Sequence, residues 1–145
     1  MKNYKIFTSG KMSGYSRDDQ MYWRLGLEDT IREMTDKSVT FVHPPEFYET
    51  DNCSDSMEKE AREWEINQLK DSDIVVMNLG NIENSVSTLI ELGILTAINN
   101  FCEKHIFVVG IGNANINHPW IKLGVNHIES TINEAADYII NYLLV

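Results

Sequence analysis

Asp71-Ser72-Asp73-Ile74-Val75-Val76-Met77-Asn78-Leu79-Gly80-Asn81-Ile82-Glu83-Asn84-Ser85-Val86-Ser87-Thr88-Leu89-Ile90-Glu91-Leu92-Gly93 is the stretch from which the architecture can be read. Ile74 to Met77 form a short apolar run bounded by polar residues, the pattern of a strand buried on both faces of a parallel sheet. From Ser85 the pattern changes. Ser85, Ser87 and Thr88 are candidate helix caps, and Leu89, Leu92, Ile94, Leu95 and Ile98 recur at spacings of three and four, giving a broad apolar face. Gly80 to Asn84 is a polar loop between the two, at the carboxyl end of the strand, where open α/β sheets bind ligands.

The same alternation runs outward in both directions. Upstream, Lys5 to Thr8 predicts a first strand ended by the turn-rich Ser9 to Ser16, and Ser16 with Asp19 predicts the cap of a helix whose buried side carries Met21, Tyr22, Leu25, Ile31 and Met34. Val39 to Val42 predicts a second strand, which His43-Pro44-Pro45 stops. His43 then reads as a ligand contact or as a loop histidine without a role. Tyr48 to Ser56 is a polar loop that could cover a pocket. The helix from Ser56 to Lys70 is expected to bury Met57, Ala61, Trp64 and Leu69. Downstream, His105 to Val109 predicts a strand, Gly110 to Asn113 a loop and Val125 to Ile128 a short last strand. Thr131 with Glu134 forms a capping box for a closing helix that turns Ile132, Ala135, Ala136, Ile139, Ile140 and Leu143 inward.

Strand and helix alternate with connections too long for hairpins, which implies a right-handed parallel α/β winding with helices on both faces. The expected fold is α/β: a flavodoxin-like, Rossmann-like three-layer sandwich around a five-stranded parallel sheet in the order 2-1-3-4-5. The chain has 145 residues, and the expectation is a single domain over residues 1–145. No apolar run reaches membrane-spanning length and no signal-peptide core follows Met1, so a soluble cytoplasmic protein is expected. The formal net charge of −10 argues against a nucleic-acid polymer as partner, because phosphate backbones are bound through surplus Lys and Arg. A single mononucleotide needs only one local cation and a few N–H groups. Cys53 and Cys102 lie far apart without zinc spacing and read as free thiols. No metal and no cofactor are expected.

Glu91 alone reads either as a solvated glutamate, favoured near a helix start by the macrodipole, or as a nucleophilic carboxylate at the mouth of the sheet. Spacing does not choose between them. Ser85-x-Ser87-Thr88-x-x-Glu91-Leu92-Gly93, preceded by Asp71 to Val76, resembles the signature of the nucleoside 2-deoxyribosyltransferase superfamily, which includes 2'-deoxynucleoside 5'-phosphate N-hydrolases. Phe7-Thr8-Ser9-Gly10-Lys11-Met12-Ser13-Gly14 is similar to that family's opening strand and Gly-rich loop. It is neither a Walker A loop nor a GxGxxG fingerprint.

The resemblance implies that Glu91 captures C1' of the sugar and that Glu65, where the family commonly carries Asp, assists the leaving base. Its bland reading is a surface glutamate among Glu58, Glu60 and Glu63. Ser9, Gly10, Lys11, Ser13, Gly14 and Arg17 become candidate substrate contacts, with His118 on the loop from Asn113 to Trp120 as a further one. The helix start is expected to keep Glu91 ionised.

Six residues before Glu91 the transferases usually carry an Asp that binds sugar hydroxyls, whereas this chain has Ser85, as the monophosphate hydrolases do. An Asp beside a phosphate would cost roughly 4 kcal/mol per pair of unit charges about 4 Å apart at an effective dielectric of about 20. Ser85 and Ser87 therefore read as a phosphate cradle, or as caps. The family's usual Gly four residues before the nucleophile is Ser87 here.

The expected function is cleavage of the N-glycosidic bond of a (2'-deoxy)nucleoside 5'-monophosphate through a covalent glycosyl-Glu91 intermediate. Two alternatives stand beside it: a deoxyribosyltransferase exchanging bases on unphosphorylated nucleosides, and a non-catalytic nucleotide-binding or sensing protein. A receiver domain shares the architecture, but Asn78 and Leu79 stand where its phosphoacceptor Asp belongs. The partner is a small nucleotide or nucleoside, and the resemblance also implies a homodimer or higher homo-oligomer.

Overall fold

The computed structural model describes residues 1–47, 55–112 and 118–145. Five strands, β1 (Asn3–Ser9), β2 (Ser38–Val42), β3 (Ile74–Asn78), β4 (Phe107–Ile111) and β5 (His127–Glu129), form one sheet in the order β2-β1-β3-β4-β5, with every pairing parallel. Among the described residues six α-helices connect and follow them: α1 (Arg17–Met34), α2 (Pro44–Phe47), α3 (Asp55–Lys70), α4 (Val86–Phe101), α5 (Pro119–Gly124) and α6 (Ile132–Tyr138), the last running into a π-helical turn over Ile139–Leu143. The flavodoxin-like α/β sandwich is thus present in the expected strand order. Among the described residues no helix is long and apolar enough to cross a membrane.

The central run explains the layering. Successive side chains of a strand point to opposite faces. Ile74 and Val76 enter the core beneath α1 and α6, with Ile6, Leu27, Ile31, Ala135 and Ile139. Val75 and Met77 enter the opposite core beneath α3 and α4, with Phe7, Leu69, Leu92, Leu95 and Val108. Each such buried side chain contributes about 1.5–3 kcal/mol, so β3 is held from both sides and a continuous apolar run is the right pattern for it. Asp73 fixes its start: the carboxylate accepts the Lys5 N–H at 2.9 Å, and its own N–H donates to the Lys5 carbonyl at 2.9 Å. Ser72 is buried and donates to the Gln68 carbonyl at 2.7 Å, closing α3.

Two caps stand as read. Ser16 accepts from Asp19 N at 3.2 Å, and Thr131 accepts from Glu134 N at 3.1 Å. The buried side of α1 differs from the expectation. Tyr22, Leu25 and Met34 are exposed, and the inward stripe is Met21, Arg24, Leu27 and Ile31. The expected stripe failed because it excluded the charged residue at its centre. β4 also begins and ends later than its apolar run suggests: His105 lies outside it, and Gly110 and Ile111 belong to the strand rather than to a loop. Asn99 pairs with both the N–H and the C=O of Ile106, at 2.7 and 2.8 Å, so a side chain supplies the ladder just before β4 starts. The expected strand Val125–Ile128 is shifted to His127–Glu129. The loop expected to cover the pocket lies largely outside the described residues, as does Cys53, while Cys102 is an exposed free thiol.

Candidate active site

The loops after β1 and β3 meet at the carboxyl edge of the sheet, and the first fixed point there is Ser9. It is the last residue of β1, fully enclosed, and its hydroxyl donates to Glu91 Oε2 at 2.5 Å. Glu91 arrives from the second turn of α4, and Glu65 from α3 stands beside it, close enough for a hydrogen bond between the two carboxyl groups. Both line a cavity of about 420 Å3 together with Ser13, Arg62, Asn84 and Ser87. Its apolar wall includes Ile66, Leu69, Val86, Ile90 and Ile94.

The pair cannot carry two full charges cheaply. Burial first, and then the neighbouring Glu65, push the Glu91 carboxyl up to about 8, against the Ser9 hydrogen bond and the positive charge of Arg24. The expectation that the helix start keeps Glu91 ionised is overturned. The macrodipole fades beyond the first turn, whereas desolvation and a like charge act directly on the group.

Arg24 is the residue that sequence reasoning missed. It is fully buried on α1, and its Nε donates to Thr8 Oγ1 at 3.2 Å and its Nη2 to the Gly10 carbonyl at 3.3 Å. Its Nη1 donates to the Gln20 carbonyl. Burial lowers the guanidinium to about 10, while Glu91 and Glu65 draw it back toward the charged form. The available signal was its place on the helix, three residues after Met21 and three before Leu27, inside the apolar stripe. Arg62 was missed too, one helical turn before Glu65 on the same cavity wall.

The remaining expected contacts divide. Ser13 and Ser87 line the cavity with the two glutamates. Gly10 contributes its carbonyl to Arg24 and is tightly packed, since a Cβ there would lie 3.0 Å from the Trp23 ring and 3.2 Å from Asn78 Cβ. Gly14 occupies a left-handed turn at φ 85°. Lys11 faces a neighbouring cavity of about 340 Å3 with Tyr15, Trp23, Asn78 and Asn81. Arg17 opens α1 on an exposed turn and does not line the cavity.

Ser85 is buried, with its hydroxyl 2.6 Å from Thr88 Oγ1 and away from the cavity lining, so the phosphate cradle expected from Ser85 and Ser87 loses its first member. His118 caps α5 by accepting from Trp120 N at 3.3 Å and is likewise outside the lining. His43 is neither an idle loop residue nor a cavity contact: it is 2% exposed and bonded to Thr8 and Glu28. A larger groove of about 550 Å3 lies between α1 and α6 and holds none of these residues. Among the described residues, no three His, Cys, Asp or Glu side chains converge as a metal site.

Comparison with known proteins gives the same direction. Residues 3–109 match the model of a family described as nucleoside 2-deoxyribosyltransferase like. A solved 2-deoxyribosyltransferase from the psychrotolerant bacterium Bacillus psychrosaccharolyticus superposes with a TM-score of 0.65 at 16% identity, over 92% of this chain and 91% of that one. A conserved protein from Enterococcus faecalis V583 gives a TM-score of 0.65 at 18% identity, over 98% of this chain and 100% of that one. At such identities the likeness speaks to the fold. No curated protein matches the sequence.

Proposed function

The chain belongs to the nucleoside 2-deoxyribosyltransferase-like family, a family of enzymes, and from that premise we propose that it cleaves the N-glycosidic bond of a 2'-deoxynucleoside 5'-monophosphate. The observation that carries this reading is the hydrogen-bonded pair Glu91 and Glu65 in one cavity. Neighbouring carboxyl groups leave little room for the water that a wider pair admits between one of them and the anomeric carbon. Their closeness favours direct attack and a covalent intermediate over water insertion.

In the first half-reaction Glu91 forms a bond to C1' while the C1'–N bond breaks and its electrons pass to the base, which takes the proton held by Glu65. In the second, Glu65 removes a proton from water, the water oxygen bonds to C1', and the ester bond to Glu91 breaks. Attack requires Glu91 ionised and the proton of the pair on Glu65, a state that the Ser9 hydrogen bond and the Arg24 charge favour against burial. Ser9 holds Glu91 in line, and the Arg24 charge favours its ionised form. Positive charge growing on the sugar does the same in the transition state.

A phosphorylated substrate is supported by Ser13, Ser87 and Arg62 on the cavity wall, since one cation and a few donors bind a single phosphate. Base exchange on unphosphorylated nucleosides is the second reading. It is supported by the apolar side chains of Ile66, Leu69 and Ile94 on the cavity wall, a surface suited to a second free base as acceptor. Val86 and Ile90 are exposed at that wall and support assembly into a homo-oligomer.

Incubation with each common nucleotide and nucleoside, with and without a second free base, separates the readings by chromatography. Base release from monophosphates alone is the expected result, and exchange confined to nucleosides would replace it with the second reading. Glu91→Ala is expected to remove turnover and keep the folded circular dichroism spectrum. Undiminished turnover in that variant would end the proposal.

A further inference from the structure

Resting on the reading of Glu91 and Glu65 as the reacting pair, we propose that Glu28 and His43 are positioning residues. Through Thr8 they hold the Arg24 guanidinium behind the two carboxyl groups and thereby set the pH at which the pair can react. The chain of contacts is continuous. Arg24 Nε donates to Thr8 Oγ1 at 3.2 Å, Thr8 Oγ1 lies 2.8 Å from His43 Nδ1, and His43 Nε2 lies 3.0 Å from Glu28 Oε2. Arg32 closes it at the surface with a 2.9 Å ion pair to Glu28.

The direction of each bond follows from its last member. Burial works against the charge on Glu28, but the hydrogen bonds from His43 and Arg32 prevail and hold the carboxyl below its ordinary value. An ionised Glu28 accepts the His43 Nε2–H. With that tautomer Nδ1 is the nearer acceptor for the Thr8 hydroxyl proton, at 2.8 Å against 3.3 Å for the Val42 carbonyl, and the Thr8 lone pairs face Arg24. Each link polarises the next, so the negative charge at the rim strengthens the hold on the buried cation. The guanidinium is also stacked over the Trp23 ring, 4.7 Å from its centroid, and tethered to the Gly10 and Gln20 carbonyls.

Packing alone does not account for these residues. A fully buried Arg and a 2% exposed His carry desolvation costs that apolar side chains of similar size avoid. What they supply is a fixed positive charge beside two acids. Among the described residues, the groups around Glu91 are Glu65 from α3 and Arg24 from α1, with the neutral Ser9 from β1 and with Arg62 of α3 on the same cavity wall. Those facing Arg24 are the same two glutamates. His43 meets Glu28, with Arg32 beyond it, and Arg24 across Thr8. Moving the guanidinium therefore changes the charge felt by both acids.

The test is the titration of the Glu91 carboxyl by carbon-13 NMR in the substrate-free protein, for the wild type, His43→Gln and Glu28→Gln. The Glu91 midpoint is expected to move up by about one pH unit in both variants. The acid limb of kcat/KM for base release moves with it, costing up to about tenfold at neutral pH and recovering in alkaline buffer. Should His43→Gln fail to fold, Glu28→Gln at the rim carries the test alone. A folded Glu28→Gln protein in which Glu91 titrates as in the wild type overturns the inference, even with full base release. A wild type that releases no base while the midpoint still moves removes the glycosidase reading and supports the electrostatic linkage.

Discussion

Glu91 is a carboxyl group whose ordinary ionisation is opposed by its surroundings, and this opposition is measurable without any substrate. In the unfolded chain it gives up its proton near 4.5, whereas in the fold it keeps it to about 8. Between those values the folded state binds more protons than the unfolded one, so this residue makes stability fall as pH rises. Glu91→Gln removes the slope. The variant is expected to gain in melting temperature over the wild type as pH rises from about 5 to about 8, with the difference level in more alkaline buffer. Thermal unfolding across that range checks this, and a constant difference at every pH would show that the pair is not proton-linked to folding. That Glu91, Glu65, Ser13 and Ser87 would lie together on one cavity was legible because the family motif fixes positions by spacing, even where Glu65 and Ser87 depart from its usual Asp and Gly. Arg24 and His43 were not. A charge inside a core is chosen by the partners that other elements bring to it, and no local pattern records those partners.

At the scale of the element, β3 and α4 were legible because each is buried by its own periodicity. β4 was harder. Its ladder begins after Ile106, whose backbone is taken by Asn99, and continues through Gly110, which reads locally as a turn. The glycine is there for space rather than flexibility: a Cβ on Gly110 would come within 2.6 Å of Leu79 Cδ1, 3.2 Å of Leu79 Cγ and 3.1 Å of Val125 Cγ1. Leu79 is itself buried where β3 turns into the loop that leads to α4. Gly110→Ala is expected to cost about 1–3 kcal/mol through this overpacking, read as a lower midpoint in urea unfolding. An unchanged midpoint would mean that Leu79 shifts freely and that the loop is not pinned from below. The exposed side of α1 went wrong for a related reason: Tyr22, Leu25 and Met34 are apolar but sit outside the stripe that meets the sheet.

For the molecule as a whole, the strand order was legible because alternating strands and helices admit few right-handed parallel windings, and the family resemblance pointed to the same one. What the order does to the site was not. Glu65 and Glu91 ride on helices packed over one apolar layer, while Arg24 rides on α1, packed over the other. The guanidinium and the acids it balances are therefore brought together only when both sides of the sheet are covered. During refolding from denaturant, a transient species with a single helical layer docked holds either the cation or the acids. Recovery of base release in a double-jump experiment is accordingly expected to lag behind the far-ultraviolet signal of sheet and helix formation. Coincident traces would mean that the two layers assemble in one step.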